Sequence, residues 1–145
     1  MSADIVLDTN VLVAWLDEHD SLAKRASGLL ERIAQQGDRP VLIDVAVAEA
    51  LSVLARRAAE RKTNPPSLEK VLERIRAWLA TGDIAFVGHH SERLFSSVLD
   101  VVAESSGKLN FNDALLVALQ REGTIGGIAS FDSDFDTVPG FRRLG

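Results

Sequence analysis

Asp4-Ile5-Val6-Leu7-Asp8-Thr9-Asn10 sets three apolar residues in a row and follows them at once with a carboxylate, a hydroxyl and an amide. A short apolar run of this kind reads as a strand buried on both faces, as parallel sheets require. Three later runs repeat the form: Pro40-Val41-Leu42-Ile43, Ile84-Ala85-Phe86-Val87 and Gly127-Ile128-Ala129-Ser130, with Gly140 to Leu144 as a short fifth strand. Segments of helical period lie between them. They run from Asn10 to Leu16, from Ser21 to Gln35, from a cap at Asp44 to about Lys62, and from a cap at Ser67 to about Ala80. Two more run from Ser91 to Glu104 and from Asn110 to Arg121, the second capped by Asn110 or Asn112. Strands that alternate with helices imply crossover connections, and hence an α/β three-layer sandwich around a central parallel sheet of about five strands. Such sheets bind ligands at the carboxyl ends of their strands, where the strand order reverses.

A chain of 145 residues predicts one domain over 1–145, with room for a single core. Cysteine is absent, which excludes disulfides, thiolate zinc sites and cysteine nucleophiles together. The longest stretch free of charge, Gly123 to Phe131, is nine residues, far short of a membrane helix. No basic leader precedes the first apolar run, so the expected location is the cytoplasm, with no membrane partner. A net charge of −5 argues against a protein that coats nucleic acid by global attraction. The charge is unevenly spread, however. Arg56 to Arg76 holds seven basic and three acidic residues, net +4, leaving −9 for the remainder. Within it Arg56, Arg57, Arg61 and Lys62 are candidate contacts for RNA or a partner, against the plainer reading of a solvated helix face.

Four acidic positions stand in apolar surroundings. Asp8 ends the first strand, where it also suits the cap of the following helix. Glu49 is the only ionisable residue from Val45 to Ala55. At about 100° per residue it points away from Val47, Leu51 and Leu54, toward Ser52 and Arg56, so a solvated stripe and a functional carboxylate both remain open. Asp113, the only charged residue between Leu109 and Gln120, falls in a first helical turn, where the positive helix end stabilises an anion. Asp132, Asp134 and Asp136 follow the fourth strand, but a calcium loop starting at Asp132 wants Gly and Glu where Thr137 and Arg143 stand. The topology lets Asp8, Glu49, Asp113 and Asp132 meet at one sheet edge. Like charges gathered there repel or take up protons unless a cation compensates, and a ligand set of oxygens fits Mg²⁺ or Mn²⁺ rather than Zn²⁺. His89 and His90 would point to opposite sides of an extended segment, which disfavours a paired-histidine mechanism.

Val6-Leu7-Asp8-Thr9-Asn10, Val47-Ala48-Glu49-Ala50-Leu51, Phe111-Asn112-Asp113-Ala114-Leu115 and Ser130-Phe131-Asp132-Ser133-Asp134-Phe135 resemble, in order, the acidic motifs of PIN domains, and most nearly those of the VapC-type ribonuclease toxins. The likeness spans nearly the whole chain. It implies sheet order 3-2-1-4-5, an endoribonuclease dependent on Mg²⁺ or Mn²⁺, a homodimer, and inhibition by a small VapB-like antitoxin. By position it implies Asp8, Glu49, Asp113 and Asp132 as catalytic metal ligands, with Asp134 a fifth ligand, and Asn10 and Ser130 as residues that orient the carboxylates. Ser130 stands where the family often has Thr, and Asp44 where Ser or Thr often caps the helix. The implied reaction is hydrolysis of an RNA phosphodiester by a metal-activated water.

Other readings share part of the pattern. A receiver-like phosphoacceptor domain expects an acidic pair after the first strand and a late Lys, but Leu7 precedes Asp8 and no Lys follows Lys108. A HAD-type phosphatase expects a second Asp where Asn10 stands. A catalytically silent RNA- or protein-binding module and a housekeeping RNA-processing nuclease are the remaining alternatives.

Overall fold

The computed structural model describes residues 2–145. Its core begins at β1 (Asp4–Leu7), whose Ile5, Val6 and Leu7 are buried on both faces as the apolar run requires. In chain order follow α1 (Thr9–Leu16), α2 (Ala23–Gln35), β2 (Arg39–Ile43), α3 (Asp44–Glu60), α4 (Leu68–Thr81), β3 (Ile84–Ala85), α5 (Gly88–Glu104), α6 (Phe111–Arg121), β4 (Gly127–Ala129), a short 3-10 helix (Ser133–Thr137) and β5 (Arg143–Leu144).

All strand pairings are parallel, and the sheet order is β3-β2-β1-β4-β5. β1 pairs with β2 through Ile5 and Pro40 and with β4 through Leu7 and Ala129. The chain steps one way from β1 to β3, then crosses back to β4 on the far side of β1. Right-handed crossovers in opposite directions put α1 to α4 on one face and α5 with α6 on the other. The contacts agree, since α1 packs on α2 and α3, α3 on α4, and α5 on α6. Strand order reverses between β1 and β4, which leaves a crevice at their carboxyl ends. Gly127 makes this close packing possible, because a Cβ there would lie 2.8 Å from the Arg142 carbonyl oxygen beside β5.

Several local expectations shift. The third strand stops at Ala85, and the helix after it starts at Gly88 rather than Ser91. The cause is Asp44. Its Oδ1 accepts the Val87 N–H at 3.0 Å, which removes that donor from the ladder, so Asp44 ties β2 to the start of α5 instead of capping α3. His89 and His90 therefore lie in a helix, with ring centroids 3.9 Å apart, and not on opposite sides of a strand. Ser67 caps α4 through the Lys70 N–H, and Asn110, not Asn112, caps α6 through the Asp113 N–H. No helix among the described residues is long and apolar enough to cross a membrane.

Candidate active site

Asp8 leaves β1 at the crevice, and both of its oxygens are held. Oδ1 accepts the Thr9 N–H at 2.9 Å, which makes Asp8 the cap of α1. Oδ2 accepts the Ser130 hydroxyl at 2.6 Å from the end of β4 and the Asn10 amide at 3.4 Å. Ser130 is fully buried, and its Oγ also accepts from Asn10 Nδ2 at 3.2 Å and from the Asp132 N–H at 3.1 Å. The Asn10 carbonyl oxygen takes the Phe131 N–H. Asp8 thus caps α1 through one oxygen while the other is tied to Ser130 and Asn10.

Glu49 reaches this edge from the second turn of α3. Its Oε2 accepts the Thr9 hydroxyl at 2.9 Å and its Oε1 the Asn112 amide at 3.0 Å, so it bridges the starts of α1 and α6. Sequence alone gives Thr9 and Asn112 no orienting role. The pairings span 40 and 63 residues and leave no trace in local spacing. Asp113 lies in the first turn of α6 beside Asn112, and Asp132 caps the 3-10 helix by accepting the Asp134 N–H at 2.9 Å. Asp134 sits in that helix's first turn, half-buried.

The four carboxylates share one electrostatic field. Burial raises Asp8 above the ordinary carboxylate range, with further push from Asp132 and Glu49, against the Ser130 and Thr9 hydrogen bonds. Asp113 is pushed up to about 7, first by burial and then by the negative charge of Asp8, with Asp132 and Glu49 adding to it. No cation forms an ion pair with these carboxylates among the described residues, although Arg143 stands near enough to Asp132 for their charges to attract. No three of these acidic side chains stand at metal-ligand spacing, because Asp8, Glu49 and Asp132 are each turned toward a hydroxyl, an amide or a backbone N–H. In donor type and charge the set fits a hard divalent cation. It offers only oxygens, in surroundings where burial and like charges raise Asp8 and Asp113.

The basic segment divides in two. Arg57 Nη1 donates to Asp17 Oδ2 at 2.9 Å and to Asp20 Oδ2 at 2.7 Å, and Arg61 donates to Asp17 at 3.1 Å. Asp17 is fully buried, so these two cations satisfy a charge that burial would otherwise penalise. Their charge is compensated within the chain. Arg56 and Lys62 remain exposed and form no ion pair among the described residues.

The PIN domain family model matches residues 5–140, and the chain belongs to that family. Two solved structures share the fold at low identity. One is VapBC2 from Rickettsia felis bound to a DNA fragment from its promoter, with TM-score 0.65, 13% identity, and 97% of each chain covered. The other is the sarcin-ricin loop cleaving toxin VapC20 of Mycobacterium tuberculosis, with TM-score 0.63, 20% identity, and 95% of this chain and 96% of that one covered. No curated protein is significantly similar to the chain in sequence.

The raised Asp113 pKa makes a test of the shared field. In the unfolded chain the group ionises near the ordinary value of 3.8, but in the fold it keeps its proton to about 7. The folded state therefore binds more protons between these values, and metal-free stability should fall as pH rises from about 4 to 7. Asp113→Asn should flatten that fall and be more stable than wild type at pH 8 in chelator. Urea melts across pH check this, and parallel curves for the two proteins would show that Asp113 does not feel the other carboxylates.

Proposed function

We propose that the chain is a cytoplasmic endoribonuclease, the toxin of a type II toxin–antitoxin pair, which hydrolyses RNA phosphodiesters at the Asp8, Glu49, Asp113 and Asp132 edge with Mg²⁺ or Mn²⁺. The observation that carries this reading is the gathering of four carboxylates in one electrostatic field, with no ion-paired cation among the described residues, at the point where strand order reverses. The relatives support the rest, since one is a loop-cleaving toxin and the other a VapBC complex on promoter DNA.

Asp8, Glu49, Asp113 and Asp132 would hold the ion, with Asp134 as a fifth ligand. A bound divalent ion supplies activation of water and neutralisation of the developing negative charge. The chain's own contribution is orientation. Ser130 and Asn10 fix Asp8, while Thr9 and Asn112 fix Glu49, so each acid is held by neutral hydrogen bonds that add no compensating charge. Cleavage of single-stranded RNA should need Mg²⁺ or Mn²⁺ and cease in chelator. Asp8→Asn should abolish cleavage while leaving metal-free protein as stable as wild type or more so, because Asn keeps the cap oxygen and removes a like charge. Wild type should gain up to about 2.7 kcal/mol of stability at a hundredfold excess of ion over its dissociation constant, and the variant little of it. Undiminished cleavage in excess chelator would overturn the metal mechanism.

Of the four candidate contacts Arg56, Arg57, Arg61 and Lys62, Arg56 and Lys62 form no ion pair among the described residues and are left to meet RNA phosphates. Reversing both to Glu should weaken RNA binding and lower the log-log salt slope by about one unit per lost phosphate contact. An unchanged slope would make them a solvated face.

Self-association has a candidate surface on α5. Phe95 and Leu99 are about half-exposed, and Phe95 packs on Phe111 with ring centroids 4.8 Å apart. We assign this stripe to a second copy of the chain, and a small VapB-like antitoxin to the toxin's inhibition. Leu99→Arg should convert a dimer to monomer in sedimentation. Induced expression should arrest growth, and coexpression of a short reading frame beside the gene should relieve it. A monomeric wild type would remove the dimer, and growth unaffected by the active enzyme would remove the toxin.

A further inference from the structure

Thr9 bonds to Glu49 and Asp17 to Arg57, so α1 and α3 lie side by side with a constant offset of 40 residues. Along α3, Glu49, Val53 and Arg57 follow at intervals of four on one face, about 12 Å from first to last. A groove of about 360 Å³ runs over this face, within the range of ligand pockets. Asp8, Glu49 and Asp113 line the end at the carboxylate edge, Val13, Leu22 and Val53 line the middle, and Asp20 with Arg57 lines the far end. The apolar middle and the negative edge disfavour a second phosphate there and favour a flat, uncharged ring.

The far end has its own hydrogen-bonding chemistry. Both ion pairs of Arg57 use Nη1 alone, and its Nε and Nη2 donate to no acceptor among the described residues. Beside it stands the Asp20 carboxylate, whose Oδ1 accepts the Leu22 N–H and which has lone pairs to spare. A ligand edge that places a carbonyl oxygen next to a ring N–H would give one acceptor to Arg57 and one donor to Asp20. Guanine and uracil have that edge. Adenine and cytosine present an amino group and a bare ring nitrogen, which sets donor against donor and acceptor against acceptor.

We propose that this groove is the base-selecting pocket of the enzyme: it takes the base adjoining the scissile phosphate and prefers a keto base, guanine or uracil. The proposal rests on the RNA-cleaving reading of the carboxylate edge. Val13, Leu22 and Val53 pack on the base, while Arg57 and Asp20 read its edge. Arg57 is held for this role by buried Asp17, which fixes the guanidinium before any ligand arrives.

The test uses the whole chain and a pool of single-stranded RNAs randomised at eight positions. Cleaved ends are sequenced with Mn²⁺ present, and bound RNA is sequenced in excess chelator. Wild type is expected to show one position beside the cut enriched at least fivefold in guanine and uracil, in both fractions. Arg57→Lys keeps the charge but loses the fork, and should flatten that preference. Val53→Phe fills the groove without touching the Asp17 and Asp20 pairs, and should lower kcat/KM at least tenfold while its Tm stays close to wild type. Equal use of the four bases, or Val53→Phe cleaving as wild type does, overturns the pocket and leaves the nuclease standing. Keto-selective binding without cleavage in Mn²⁺ overturns the nuclease and leaves the pocket. Neither cleavage nor selective binding overturns both.

Discussion

The Ser130 hydroxyl, 2.6 Å from Asp8 Oδ2, joins the carboxyl ends of β1 and β4 at the one place where the sheet changes direction. The rest of the site depends on this contact. Ser130 is fully buried and its single oxygen is also the acceptor for Asn10 and for the Asp132 backbone, so one side chain sets the positions of two carboxylates and the residue between them in sequence. A hydroxyl suits the place because it donates and accepts at once and carries no charge. A Lys or Arg there would neutralise Asp8 and satisfy the field that makes the edge fit for a cation. Neutral donors orient Asp8 and Glu49 without cancelling the charge that raises Asp8 and Asp113.

A second constraint runs along α1 and α3. These helices are bonded at both ends by side chains 40 residues apart, Thr9 to Glu49 at the sheet edge and Asp17 to Arg57 two turns below. The lower bond belongs to a small ion-pair network around a fully buried carboxylate, in which Asp17 is shared by Arg57 and Arg61 and Arg57 also holds Asp20. It therefore holds the loop that carries Asp20 and Leu22 against α3, and that loop is one wall of the groove. Of the four cations that are candidate contacts for RNA or a partner, Arg57 and Arg61 also belong to this scaffold. Their sequence neighbourhood, four Arg and Lys within seven residues, carries no sign of which have an acid facing them.

What the sequence made legible follows from the range of each interaction. β1 was readable because burial on both faces leaves an unbroken apolar run, and the α/β plan followed from the alternation of such runs with helical segments. The acidic positions stood out because a lone charge in an apolar stretch is conspicuous. Glu49 is the instructive case. Its helical face suggested solvent, and it is indeed exposed, yet its partners are Thr9 and Asn112, which arrive from other elements. Asp44 shows the opposite failure. Its place before a helix reads as a cap, while its carboxylate is in fact taken by the Val87 N–H 43 residues away, and this shortens β3 and draws both histidines into α5. Periodicity reports what a segment does with its own backbone, and it is silent about donors brought in by topology.

The two structural relatives keep the fold over nearly the whole chain at 13% and 20% identity. Such divergence is tolerable because a sheet order and an apolar core can be kept by many combinations of apolar residues. The proposed site would need carboxylates after β1 and β4, in the second turn of α3 and in the first turn of α6, with a few neutral donors to aim them. These sites lie on strand ends and helix starts, whose relative placement is fixed by the sheet order and not by the identity of the core residues. The groove along α3 has no such protection. Val13, Leu22 and Val53 contribute shape alone, and exchanges among apolar side chains there alter the pocket while leaving the sheet untouched. On the proposed reading, chemistry set by strand ends and selectivity set by a helix face can therefore change independently, which would allow one fold to keep its reaction while its choice of substrate drifts.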